Sequence, residues 1–209
     1  MLIRDILEES EKKFSEIKAV QWLRKKEICD RSYRELMENA KSIRKGLCEE
    51  SFQGKHIALI GSSSVEWIEA YLGIITGQAV AVPLDAGLPV EDLIDLLNRS
   101  DAEALFLSPK IQTLSERILE ECPKLKKIWI LQEENIETNQ KKVASVAELM
   151  TSGINGTDDF VAPDPEDIAT IIFTSGTTGK SKGVMLTQRN LAENVKSVNY
   201  TAEPGTIVL

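Results

Sequence analysis

Apolar positions follow two different periods along this chain. Short apolar runs at 56–60, 79–83, 104–107 and 127–131 alternate with stretches in which apolar residues recur at helical spacing. Leu93, Leu96 and Leu97 mark one such helix, and Leu114 and Ile118 another. Strands that alternate regularly with helices read as parallel βαβ units. Helices must cover both faces of a parallel sheet, so the fold class is α/β, a layered βαβ sheet. No residue-level repeat accompanies the spacing, which sets a solenoid aside.

Upstream, Ile3, Ile6, Leu7, Phe14 and Ile17 predict an amphipathic opening helix over 2–18. Trp22 and Ile28 flank Arg24-Lys25-Lys26-Glu27, the pattern of a short hairpin. A second helix carries Tyr33, Leu36, Met37, Ala40, Ile43 and Leu47 on one stripe, and Ser32 with Glu35 forms a capping box at its start. Residues 132–142 are polar and read as a solvated loop, and Ser152 to Pro165 reads as a turn-rich linker. The organisation expected is therefore 1–31 opening helix and hairpin, 32–151 βαβ core, 152–167 linker and 168–209 a strand-loop-strand-helix unit.

That last unit carries the chemistry. The β-branched run Ile168-Ala169-Thr170-Ile171-Ile172-Phe173 reads as a buried strand and empties into Thr174-Ser175-Gly176-Thr177-Thr178-Gly179-Lys180-Ser181-Lys182-Gly183. Gly176, Gly179 and Gly183 let the backbone bend tightly and bring its N–H groups against a ligand. The Thr and Ser hydroxyls can donate to phosphate oxygens, and the two lysines can neutralise them. A flexible Gly/Ser/Thr turn is the plainer reading of such composition. A Walker loop, G-x-x-x-x-G-K-[ST], is a third reading, since Gly179-Lys180-Ser181 supplies its second half. Its first glycine would fall at Thr174, and it would open directly into a helix. Here the loop runs instead into the β-type Gly183-Val184-Met185-Leu186. The helix signal comes later, with Thr187 as cap and Leu191, Val195 and Val198 at helical spacing.

This arrangement resembles the phosphate loop of the AMP-forming adenylate enzymes, which include acyl-CoA synthetases, luciferases and peptide-synthetase adenylation domains. Their signature, [ST]-S-G-[ST]-T-G-x-P-K-G-V followed by an apolar run and T-H-x-N, reads TSGTTGKSKGVMLTQRNL here. Ser181 stands where the family usually has proline, which loosens the loop tip, and Gln188 where histidine is common. Ser32-Tyr33-Arg34-Glu35-Leu36, the step from His56-Ile57-Ala58-Leu59-Ile60 to Ser64-Val65-Glu66-Trp67, and Ala79-Val80-Ala81-Val82-Pro83-Leu84-Asp85 resemble the family's earlier segments. The wording KGVMLTQRNLAENV is most similar to the long-chain fatty acyl-CoA synthetases.

The resemblance implies the N-terminal part of the large domain of an ATP-dependent acid–thiol ligase. Such an enzyme joins a carboxylic acid to AMP and passes the acyl group to coenzyme A, with magnesium as helper. Thr174, Ser175, Gly176, Thr177, Thr178, Gly179 and Lys180 are then expected at the ATP polyphosphate, with Lys182 as the catalytic lysine of the P-K-G step. Lys180 reads equally as a solvated loop-tip lysine. Family members are more than twice this length and carry later segments for adenine, ribose, metal and a mobile lid. The run Gly205-Thr206-Ile207-Val208-Leu209 resembles the strand entering the next motif. The expectation is an incomplete chain with little ligase activity alone, because positioning supplies much of the rate. A stand-alone nucleotide- or phosphate-binding module and a P-loop kinase or ATPase are the alternatives.

Composition narrows the partners. With 209 residues and 42% hydrophobic content the chain is an ordinary globular protein. No apolar run approaches a membrane span and the N-terminus is too charged for a signal peptide, so the cytoplasm is the default expectation. A net charge of −8 argues against a nucleic-acid partner. Cys29, Cys48 and Cys122 are far apart, with no metal spacing, and read as reduced thiols. His56 is the one histidine, which leaves a Ser-His-Asp hydrolase or a histidine metal site without material.

Overall fold

The computed structural model describes residues 1–132, 134, 136, 140–154, 156, 161–174 and 181–197. The chain opens with α1 (Ile3–Phe14), the antiparallel hairpin β1 (Lys18–Arg24) and β2 (Glu27–Ser32), and α2 (Tyr33–Glu49). The α2 capping box forms as its residues dictate: Glu35 N–H donates to Ser32 Oγ at 3.2 Å and Ser32 N–H to Glu35 Oε2 at 2.8 Å. The Ser32 N–H foremost, then the Ser32 hydroxyl, which also donates to Glu35 Oε2 at 2.9 Å, hold the Glu35 carboxyl below its ordinary range.

Then come β3 (His56–Ile60), α3 (Val65–Ile75), β4 (Val80–Leu84), α4 (Val90–Arg99) and β5 (Ala104–Leu107). A 3-10 turn (Pro109–Leu114) leads into α5 (Ser115–Glu121), followed by β6 (Lys127–Ile130), β7 (Val143–Ser145) and α6 (Val146–Ile154). The chain returns as β8 (Ile168–Thr174), β9 (Lys182–Thr187) and α7 (Gln188–Ser197). Among the described residues one seven-stranded sheet runs β7-β6-β5-β3-β4-β8-β9. It is parallel from β7 to β8, and β9 alone is antiparallel.

Alternation along each strand divides the core in two. Ile57, Leu59, Ala81, Phe106 and Trp129 face Ile43 and Leu47 of α2, Ile74 of α3 and Leu149 of α6. Ala58, Ile60, Val82, Leu105 and Ile128 face Leu93 and Leu97 of α4 and Ile118 of α5. Both faces are dry, which is why these strands read as unbroken apolar runs rather than as alternating ones. Trp129 anchors the first layer, edge-on to Phe52 at 5.3 Å and stacked on Phe106 at 5.1 Å between ring centroids.

Several details differ from the pattern-based expectation: the opening helix ends at Phe14, so Ile17 lies outside it. Residues 143–154 form β7 and α6, and the helix continues through Ser152 to Ile154. Its start is a second capping box, with Ser145 Oγ accepting from Glu148 N–H at 3.2 Å and Glu148 Oε1 accepting from Ser145 N–H at 3.2 Å. That S-x-x-E signal stands in the sequence and was the available clue. Leu114 closes the 3-10 turn rather than sharing a helix with Ile118.

Candidate phosphate-loop site

β8 and β9 form the stem of the candidate loop. Thr170 joins β8 to the parallel core: it pairs with Ala81, and its Oγ1 donates to the Ala81 carbonyl at 2.9 Å. The half-buried Tyr71 phenol, raised above its ordinary range by desolvation, shares a hydrogen bond with the same threonine. From there β8 runs to Thr174 at the carboxyl end of the sheet, the end at which open α/β sheets bind ligands.

The antiparallel register sets Thr174 opposite Lys182 and Phe173 opposite Gly183. Directly paired residues project from the same face, so the Thr174 and Lys182 side chains leave one face at the neck of the loop. Both residues are exposed. Gly183 has a packing reason: a Cβ there would approach Ile171 Cγ2 to 3.0 Å and the Phe173 ring to 3.5 Å. Ser175, Gly176, Thr177, Thr178, Gly179 and Lys180 lie outside the described residues.

Beyond β9 the turn into α7 is a reciprocal cap. Asn190 N–H donates to Thr187 Oγ1 at 3.2 Å, and Thr187 N–H to Asn190 Oδ1 at 3.0 Å. Gln188 is buried and donates from Nε2 to the Ile75 carbonyl at 2.8 Å, while its own N–H reaches the Asp167 carbonyl at 2.9 Å. Leu191 packs on the core, whereas Val195 is 47% exposed, so only part of the predicted stripe is buried. Val198 lies outside the described residues.

A residue that pattern reading passed over reaches the stem from outside. Arg99, the last residue of α4, donates from Nη2 to the Ser181 carbonyl at 2.5 Å. Its Cζ lies 5.5 Å from the centroid of the Phe173 ring. A basic residue in a last helical turn reads only as a partner for the helix dipole, so the sequence carried no signal for this contact.

The loop leads into a strand, β9, and not into a helix, so the Walker reading does not hold. His56 is structural. It sits at the start of β3, and its Nδ1 donates to the Ser100 carbonyl at 2.6 Å. The three cysteines are free thiols. Among the described residues no group of three or more His, Cys, Asp or Glu is placed to hold a metal ion. Nor is any helix among them long and apolar enough to cross a membrane.

Comparison with known proteins decides the family, because the model for "AMP-binding enzyme" matches residues 7–209. The chain belongs to the AMP-binding enzymes. It is 31% identical over 157 residues to the peroxisomal long chain acyl-CoA synthetase 7 of Arabidopsis thaliana, an alignment covering 72% of this chain and 22% of that protein. It is 30% identical over 185 residues to long-chain-fatty-acid–CoA ligase 5 of Mus musculus, covering 83% of this chain and 27% of the relative. The fold of this chain also matches the crystal structure of a long-chain-fatty-acid–CoA ligase from Archaeoglobus fulgidus. There the TM-score is 0.78 at 23% identity, with 95% of this chain and 38% of that one covered. The chain thus spans about a quarter of the length of the relatives it matches in sequence, at 22% and 27%.

Proposed function

We propose that this chain forms the ATP-polyphosphate grip of an AMP-forming acid–thiol ligase acting on a carboxylic acid of the long-chain fatty type. The observation that carries the reading is the Thr174–Lys182 pair at the neck of the β8–β9 loop, at the carboxyl end of a parallel sheet. In this reading a carboxylate oxygen of the substrate attacks the α-phosphorus of ATP. The bond to the bridging oxygen toward the β-phosphorus breaks, and pyrophosphate leaves. The thiol of coenzyme A then attacks the acyl carbonyl, loses its proton and expels AMP.

The leaving group gathers charge as it departs, and fixed donors aimed at it lower the barrier. Thr174, Ser175, Thr177 and Thr178 supply hydroxyl and backbone donors, Gly176 and Gly179 admit close approach, and Lys180 and Lys182 supply charge. Magnesium, which binds chiefly through the phosphates themselves, would share in neutralising that charge.

Product analysis tests the reading. The protein from its whole natural reading frame, given ATP, a fatty acid and coenzyme A, is expected to release AMP and pyrophosphate in step with acyl-CoA. Release of ADP and phosphate in their place contradicts it.

A further inference from the structure

Arg99 touches both strands of the loop's stem through one planar group. Phe173 is the residue before Thr174 on the outgoing strand, and Ser181 the residue before Lys182 on the returning one. The guanidinium lies over the Phe173 ring at 5.5 Å and donates from Nη2 to the Ser181 carbonyl at 2.5 Å. Asp95, one turn back on α4, accepts from Nη1 at 3.1 Å and fixes the fork. The helix is itself anchored, with Leu93, Leu96 and Leu97 buried against the sheet.

We propose that Arg99 is a positioning residue that clamps the two stems of the phosphate loop from outside, at a point where the residue before Lys182 is a serine whose φ no ring locks. This rests on the ligase reading of the loop. Proline narrows the backbone by locking φ. Ser181 does not, so the returning stem has one more freely rotating residue just before Lys182. A donor held on a rigid helix removes that freedom from outside the loop. Lysine could not do the same work, because a stacked face and a directed donor are needed together. The guanidinium is engaged by Ser181, Phe173 and Asp95, so its role is to hold Lys182 in place, not to bind phosphate.

The test compares wild type with Arg99→Ala, Arg99→Lys, Ser181→Pro and the double variant Arg99→Ala/Ser181→Pro, each in the whole natural reading frame. Carboxylate-dependent ATP–pyrophosphate exchange gives KM for ATP and kcat, and amide hydrogen exchange is read along β8 and β9. Arg99→Ala is expected to raise KM for ATP about five-fold, the scale of one net hydrogen bond, with a smaller change in kcat and faster amide exchange near Phe173 and Lys182. Arg99→Lys falls between. Ser181→Pro makes Arg99 dispensable, so the double variant matches Ser181→Pro alone in both readouts. Additive losses in the double variant overturn the proposal, as do an unchanged KM and unchanged amide exchange in Arg99→Ala. If wild type exchanges pyrophosphate with no acid, the ligase reading fails, and the amide-exchange pattern alone upholds or overturns the clamp.

Discussion

Gln188 Nε2 donates to the carbonyl oxygen of Ile75 at 2.8 Å, joining residues 113 apart in the chain. Ile75 ends α3, where helix carbonyls lack intrahelical partners. One amide therefore caps α3 and pins the β9–α7 corner to the core. Replacing Gln188 by leucine removes the donor and leaves the buried carbonyl unsatisfied, at an expected cost of about 1–3 kcal/mol. Urea unfolding of Gln188→Leu beside wild type measures it, and an unchanged midpoint contradicts the pinning role.

Gly153 marks where α6 crosses α2. A Cβ there would meet the Ser42 carbonyl oxygen at 1.9 Å and the Gly46 nitrogen at 2.7 Å, both backbone atoms that cannot step aside. In an exposed helix Gly→Ala stabilises by about 1 kcal/mol. Here overpacking decides the sign, and Gly153→Ala is expected to destabilise by about 3 kcal/mol. Thermal unfolding at matched concentration distinguishes the two signs directly.

At the amino-terminal edge of the sheet, Glu103 bridges Lys126 and Lys55, the latter at 2.9 Å. The Lys126 hydrogen bond first, then that of Lys55, holds its carboxyl below the ordinary 4.5. A folded-state value depressed below the unfolded one gives stability that is present in full above the unfolded value. It is lost as pH falls through the folded value. Glu103→Gln is therefore expected to flatten the fall of the urea midpoint below about pH 4.5, relative to wild type. Parallel curves for the two proteins would show that the bridge contributes nothing.

Cys122 is buried against the α4–α5 face, and burial pushes its thiol up to about 11. Cys29 and Cys48 are partly exposed. Since the thiolate is the reactive form, a disulfide reagent at pH 8 is expected to label Cys29 and Cys48 in the folded protein. Cys122 reacts only after urea is added. Immediate labelling of all three thiols contradicts the packing described for α5.

Much of the layered core could be read before any coordinates. The runs 56–60 and 104–107 coincide with β3 and β5 because dry packing on both faces leaves no polar position to blur their ends. The β8–β9–α7 unit was readable for a related reason: Gly183 and the Thr187 cap interrupt the apolar pattern where the backbone changes direction. Strand order was not readable, since β3, β4 and β5 carry interchangeable apolar runs and nothing local tells β4 to lie beside β8. β7 was too short, at three residues, to show a period. Arg99 and Gln188 were opaque because their partners lie 82 and 113 residues away. Neighbouring residues carry no trace of such distant contacts.

In the proposed function the loop between Thr174 and Lys182 grips the polyphosphate of ATP during acid activation. Carboxylate-dependent ATP–pyrophosphate exchange, run on the protein from its whole natural reading frame beside its Lys182→Gln variant, tests it most directly. Exchange is expected to require a fatty acid and to fall at least about ten-fold in Lys182→Gln, the scale of a lost charge-assisted contact to the leaving group. No exchange with any acid, or full exchange in Lys182→Gln, would contradict it.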